Sequence, residues 1–413
     1  MSFPPYAEYK DSGVAWLGGI PAHWRTIKAR RLFRLVKRRD QDDLPILSVY
    51  RDYGIIEKSS RDDNNNKTPE DLSLYQSVNP GDLVINKMKA WQGSLGVSSL
   101  NGITSPDYAV FMPVHKDKPE FLNYLFRCKL LPPVFKTISN GIRPDQWRIE
   151  PDKFLQLPFA LPPCDEQIQI VGFLDRETAK IDALIAEQQR LIDLLREKIT
   201  SLVLSTVNIR GTKNARLSEA SELIFRPVIQ TPEELYVPIG LYNRGRGVFH
   251  KEARETADMG DSEFFWVQAG DLIISGQFAW EGAVALAGDE DQGCVVSHRY
   301  HILRGRPHVA LTEYIFALFL TRHGEFILNE NSRGAAGRNK PLNIGSLLNE
   351  KIPAIELPVQ EAIAVAVHKT KKLFDEIASQ VQLLQERRSA LISAAVTGKI
   401  DVRGLIPAAA EAA

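Results

Sequence analysis

The sequence predicts an α+β protein in which two pseudo-symmetric mixed α/β domains are separated by two long antiparallel coiled-coil helices. Three observations predict it. A block of motifs recurs later in the chain in the same order. Each copy runs into a long segment with heptad spacing. Between these segments lie short apolar runs broken by Gly, Asn and Pro, the chemistry of strands joined by tight turns.

The repeat comes first because it sets the architecture. Pro80-Gly81-Asp82-Leu83-Val84-Ile85, followed by Ala90-Trp91-Gln92-Gly93, returns as Ala269-Gly270-Asp271-Leu272-Ile273-Ile274, followed by Ala279-Trp280-Glu281-Gly282. The spacing is 189 residues at both the glycine and the tryptophan (270 − 81 and 280 − 91). Downstream, Ser105-Pro106-Asp107-Tyr108 is echoed by Ser297-His298-Arg299-Tyr300, and Phe121 to Phe126 by Leu311 to Phe316. A duplicated chain of this kind serves a two-site enzyme, a scaffold or a reader of a two-part target.

Taken in order, residues 1–25 form an N-terminal segment that completes a circular pseudo-repeat, and 26–159 form the first domain. Its basic run, Arg25, Lys28, Arg30, Arg31, Arg34, Lys37, Arg38 and Arg39, meets no acid before Asp40. It reads either as a solvated helix face or as a local positive surface. Pro119 to Leu130 has helical character, and Leu83-Val84-Ile85 and Tyr108-Ala109-Val110-Phe111 read as strands. Residues 160–211 form a central long helix, with Pro162 and Pro163 before its first turn and Asp165 and Glu166 within it, where acids suit the helix dipole. Leu174, Ile181, Gln188, Leu195 and Leu202 recur every seven residues, with Ile185, Ile192 and Ile199 interleaved. That is an a/d seam, in which a polar Gln188 is placed to fix register. Residues 212–354 form the second domain, with Leu311 to Arg322 helical. Residues 355–404 form the second long helix, whose seam reads Phe374, Ile377, Val381, Leu384 and Leu391. At 1.5 Å per residue, such helices are about 45–60 Å long, more than one DNA turn of about 34 Å. The tail, 405–413, is alanine-rich, lacks core-forming residues and is expected to fray.

Two loop systems recur in both domains and carry the candidate DNA contacts. The stretch after each Gly-Asp-Leu strand offers Lys87, Lys89 and Gln92 in the first copy, and Ser275 and Gln277 in the second, around a shared Ala-Trp-Xaa-Gly frame. The tryptophans read as packing anchors. Just upstream of each long helix, Ser139 to Arg148 offers Arg143, Gln146 and Arg148, and Ser332 to Lys340 offers Arg333, Arg338, Asn339 and Lys340; Arg299 joins the second set. Guanidinium, ammonium and amide groups on glycine-bearing loops suit phosphates and base edges.

The remaining composition narrows the class. Lys+Arg and Asp+Glu both number 51, so a positive surface has to be local. With 44% hydrophobic and 25% charged residues, the chain has the composition of a globular protein. It has no apolar run long enough to cross a bilayer and no signal-peptide pattern at its start, which points to the cytoplasm. Cys128, Cys164 and Cys294 stand apart from one another and read as inert packing residues. No methyltransferase Asn/Asp-Pro-Pro-aromatic motif and no phosphate loop is present, since Gly398-Lys399 is followed by Ile400. His298, His301 and His308 have no carboxylate cluster to complete a metal set.

The chain resembles the specificity subunit of type I restriction-modification systems. The resemblance rests on Tyr9 to Gly18 with Ile20 to Trp24, on Leu161-Pro162-Pro163-Cys164-Asp165-Glu166-Gln167 at the first helix, and above all on Glu386 to Gly404 at the end of the second. The first helix departs from that closing pattern, and Val359-Gln360 stands where a second proline is usual. The resemblance implies a non-catalytic subunit with two target recognition domains, each reading one half of a bipartite double-stranded DNA site, with the helix pair setting their spacing. It implies two adenine methyltransferase (modification) subunits docked on the helices and translocase/endonuclease (restriction) subunits beside them. No cofactor is expected on this chain; S-adenosylmethionine, ATP and Mg belong to the partners. The alternatives are an RNA-binding or architectural repeat protein, or a self-contained enzyme.

Overall fold

A computed structural model of the chain describes residues 3–39, 44–61, 68–141, 147–207, 213–231, 233–260, 262–334 and 340–405. The expected fraying of the tail falls on 406–413, beyond those residues. The chain forms two compact units, Met1–Ile185 with Val381–Ala413, and Ala186–Gln380. Each holds one α/β domain and part of both long helices, Cys164–Val207 and Leu357–Val396.

The two domains share one plan. In the first, an antiparallel four-stranded sheet runs Phe33–Val36, Tyr108–Pro113, Leu83–Asn86, Leu95–Val97. In the second, the order is Ser221–Ile224, Tyr300–Gly305, Leu272–Ser275, Val284–Leu286. Each domain is closed by pairing its first strand with its last, Arg25–Lys28 with Pro158–Leu161 and Lys213–Arg216 with Lys351–Ala354. The basic run is therefore not a helix face. Arg25 to Arg34 lie on two strands and a 3-10 turn, Lys37 to Arg39 follow the second strand, and Arg25 and Arg38 are paired with the buried carboxylates of Asp117 and Asp82.

Aromatic side chains fill the first core. Phe33, Phe111, Phe121, Phe126, Phe135, Phe154 and Phe159 are all buried, several in edge-on contact. Full burial of one such ring stabilises by about 1.5–3 kcal/mol relative to exposure. Ile170, Phe173 and Leu174 of the first long helix and Leu391, Ala395 and Val396 of the second join this core. In the other unit Ile199 and Val203 of the first helix and Ile363 and Val367 of the second join the core of the second domain. Within each unit the helices run antiparallel: Asp182 meets Arg388 while Arg176 reaches Leu405 in one, and Arg196 lies over Phe374 in the other.

Of the seam positions, Leu174, Ile181, Ile199, Ile377 and Leu391 are buried. Ile185, Gln188, Ile192, Leu195, Leu202, Phe374, Val381 and Leu384 are half-buried. The Gln188 side-chain oxygen is buried without a hydrogen bond. Cys128 and Cys294 are buried, and burial raises the Cys128 thiol to about 11.

Each long helix is pinned to its domain by one glutamine. Gln167 and Gln360, each the fourth residue of its helix, have no exposed surface. The Gln167 oxygen accepts from Lys118 N at 2.8 Å and its amide donates to Asp117 and to Pro162 O; the Gln360 oxygen accepts from Leu311 N at 2.8 Å and its amide donates to Val309 O and Ile355 O. Gln360 thus stands where Gln167 stands, which accounts for the altered opening of the second helix.

The N-terminal segment is held by Glu166. Its carboxylate accepts from Tyr6 Oη at 2.6 Å and Trp24 Nε1 at 2.9 Å and meets His23 Nε2 at 2.6 Å. Tyr9 Oη donates to Gly398 O, and Asp401 N donates to Pro4 O.

Candidate nucleic-acid interface

The recurrent Gly-Asp-Leu motif builds a rigid base for a projecting loop. Asp82 accepts from Asn79 N and pairs with Arg38; Asp271 accepts from Gln268 N and pairs with both Arg226 and Arg304. Both carboxylates are buried, so these pairs fix geometry rather than present charge.

The loop itself is capped from within. Asn86 Oδ1 accepts from Met88 N and Lys89 N, and Ser275 Oγ accepts from Gln277 N and Phe278 N. A 3-10 turn follows, Ala90–Gln92 or Ala279–Glu281, ending at Gly93 (φ 92°) or Gly282 (φ 69°), a left-handed conformation that a side chain would strain. Each indole N–H bonds back into the loop, Trp91 to Met88 O at 3.0 Å and Trp280 to Gln277 O at 3.2 Å. The tryptophans therefore hold the loop's shape while part of each ring faces outward.

The second loop system is stitched to the first at matching points. Ile149 N donates to Lys87 O and Leu342 N to Gly276 O, both at 2.8 Å. In the first domain this brings Arg148 beside Met88, and Lys136 over the ring of Trp147, which packs edge-on against Trp91. In the second it sets Lys340 Nζ 4.8 Å from the centroid of Trp280.

The structure thus gathers Lys87, Lys89, Gln92 and Arg148 on one surface. Lys89, Gln92 and Arg148 are exposed. Lys87 donates to Pro106 O, and burial first, then the nearby charges of Arg148 and Lys37 against the opposing pull of Asp107, draws its pKa down. In the second domain Gln277 and Lys340 flank Trp280, and the exposed Arg299 joins them because its carbonyl accepts from Gly276 N. Arg333 is exposed on the same loop as Lys340, its Nε on Glu330 O. Ser275 is a correction: it is buried and its hydroxyl is committed to two backbone N–H groups, so it shapes the turn and presents nothing. Arg143, Gln146, Arg338 and Asn339 lie outside the described residues.

Lys37, from the basic run, comes near Lys87, whereas sequence reasoning missed Lys136, brought in from a distant segment, and the turn Asn243-Arg244-Gly245-Arg246-Gly247. That turn carries the same mix of glycine, arginine and amide that singled out the other loops. Arg244 N donates to Glu281 O and Gly245 N to Gly282 O, which clamps it onto the Trp280 turn.

Among the described residues no group of three His, Cys, Asp or Glu side chains is arranged to hold a metal ion, and no helix is long and apolar enough to cross a membrane. No family model and no curated protein sequence matches the chain. Solved structures do. One comes from work on complex assembly and conformational transition of the type I R-M system: it is 15% identical, with a TM-score of 0.55 over 92% of this chain and 99% of that one. The HsdS subunit of Thermoanaerobacter tengcongensis (15% identity, TM-score 0.41, 92% and 98% covered) and the type I restriction-modification S subunit of M. genitalium (13%, 0.45, 92% and 96%) are also similar. The first likeness establishes a shared fold across nearly the whole chain.

Proposed function

We propose that this chain is the DNA-reading specificity subunit of a type I restriction-modification complex, with no catalytic site of its own. One observation carries the reading. Two domains of identical main-sheet order present the same internally capped tryptophan turn, yet the residues at matching positions on it differ: Lys87, Lys89 and Gln92 in one, Gly276, Phe278 and Glu281 in the other. A common frame with divergent tips suits two readers of unlike half-sites, whereas two equivalent enzyme sites would repeat their chemistry. The shared fold supports the same reading.

The long helices serve as the spacer and as the docking surface for two methyltransferase subunits. Leu191 and Leu194 lie along one side of the first helix within the second unit and are 43% and 52% exposed, apolar groups outside the seam. S-adenosylmethionine, ATP and Mg act on the partner subunits in this scheme, and those subunits add phosphate contacts that a chain of zero net charge supplies only locally. Mapping methylated adenines in the source organism, with and without this gene, tests the proposal. A two-part motif that disappears on deletion supports it, and unchanged methylation refutes it.

A further inference from the structure

The second unit carries a cleft of about 980 Å³ beside its tryptophan turn. Four guanidiniums line it: Arg196 from the first long helix, Arg244 and Arg246 from the clamped hairpin turn, and Arg322 from the first turn of Arg322–Glu330. Three carboxylates face them, but two are engaged. Glu281 takes the Asn243 amide, and Asp193 lies 3.6 Å from Arg196. Among the described residues, the side chains of Arg244 and Arg322 make no hydrogen bond or ion pair.

Arg196 shows that the cleft is incomplete as it stands. The same number of residues separates Arg196 from Arg388, Ile199 from Leu391 and Val203 from Ala395, so Arg388 holds its place in the other unit. There the guanidinium is closed by a forked pair with Asp182, at 2.8 and 3.1 Å. Arg196 has instead an acid on its own helix and the ring of Phe374, and its Nε is buried without a hydrogen bond. Arg244 is also held in a left-handed backbone conformation (φ 58°), unusual for a residue with a side chain, by its bond to Glu281 O. Four guanidiniums thus share the cleft with three carboxylates, Asp193, Glu281 and Glu325, and those of Arg244 and Arg322 are unpaired among the described residues.

We infer that this cleft binds a backbone phosphate of duplex DNA, anchoring the second domain independently of base sequence. The inference rests on the proposed DNA-reading role. The forked guanidinium matches phosphate oxygens. The cleft shares Trp280 with the loop bearing Gln277 and Lys340, so a sugar-phosphate strand passing that loop lies within reach of Arg244 and Arg322.

The test compares the full chain, together with the adenine methyltransferase of its system, as wild type, as Arg244→Ala/Arg322→Ala and as Arg244→Lys/Arg322→Lys. Affinity is measured against salt on two duplexes, one carrying the sequence the wild type selects from a randomised pool and one scrambled. The alanine pair is expected to weaken both duplexes by about the same factor, roughly tenfold, and to lower the salt slope by about 0.9 for each phosphate that the arginines no longer neutralise. The lysine pair should retain most of the slope. Both arginines are exposed, so an unchanged melting temperature is expected. An unaltered slope, or a weakening confined to the selected duplex, overturns the phosphate site and leaves the DNA-reading role intact. A wild type that selects no sequence, or prefers an RNA hairpin, overturns both.

Discussion

Gln167 and Gln360 show how much one buried amide can decide. Each closes three hydrogen bonds with backbone or carboxylate groups that are buried or half-buried, so truncation leaves those groups without a protein partner at up to about 1–3 kcal/mol apiece. Gln360→Ala should therefore lower the urea midpoint of unfolding markedly, while Gln360→Glu, which keeps the acceptor but not the donors, falls between; a neutral alanine variant would show that the amide pins nothing. His115 makes a pH prediction. Its ring is 7% exposed, Nδ1 accepts from Asp117 N at 3.0 Å, and Nε2 is buried without a partner. Burial holds its pKa below the ordinary value despite the opposing pull of Asp117. Because the folded value is the lower one, the unfolded chain takes up the proton first as pH falls. Stability from this residue is then constant above about pH 6.5 and declines below it until the folded value is passed. His115→Gln should flatten that limb of the stability curve, as read by chemical denaturation between pH 7 and pH 5, and an unchanged limb would refute the assignment.

At the scale of elements, the long helices separate residues that pack from residues that only look as though they should. Ile199 and Leu391 sit in domain cores, and Ile199→Ala should cost about 2–5 kcal/mol. Leu191 is as apolar but lies on the open side. Leu191→Ala should change stability by no more than about 0.5 kcal/mol while weakening co-purification with the methyltransferase subunit. Retained assembly would show that the open side is not the docking surface. The heptads made both helices legible in the sequence, because a seam repeats every seven residues whatever it packs against. The sheet order was not legible. Tyr108–Pro113 pairs with Phe33–Val36, and such long-range pairings leave no local periodicity to read.

For the whole molecule, duplication is what made the proposed role readable and also what limited the reading. Motifs recurring around Trp91 and Trp280 located the projecting loops, but two kinds of residue escaped. Ser275 has the chemistry of a base contact and is spent inside its turn, and Arg244 reaches the same region from a hairpin almost forty residues upstream. Exchanging Lys87, Lys89, Gln92 and Arg148 for alanine should blur one half of the methylated motif and leave the other half readable by methylation mapping. Degeneracy in both halves would mean that the domains do not read separately. The hydrogen bond from Asp401 to Pro4, with Tyr9 on Gly398, carries a last consequence. The chain's two described extremities are neighbours, so in fold the polypeptide is a ring that happens to be cut there. Sealing that cut with a short linker and reopening the ring between the first long helix and the second domain should yield a permuted protein with the same melting behaviour, its two domains exchanged in gene order alone.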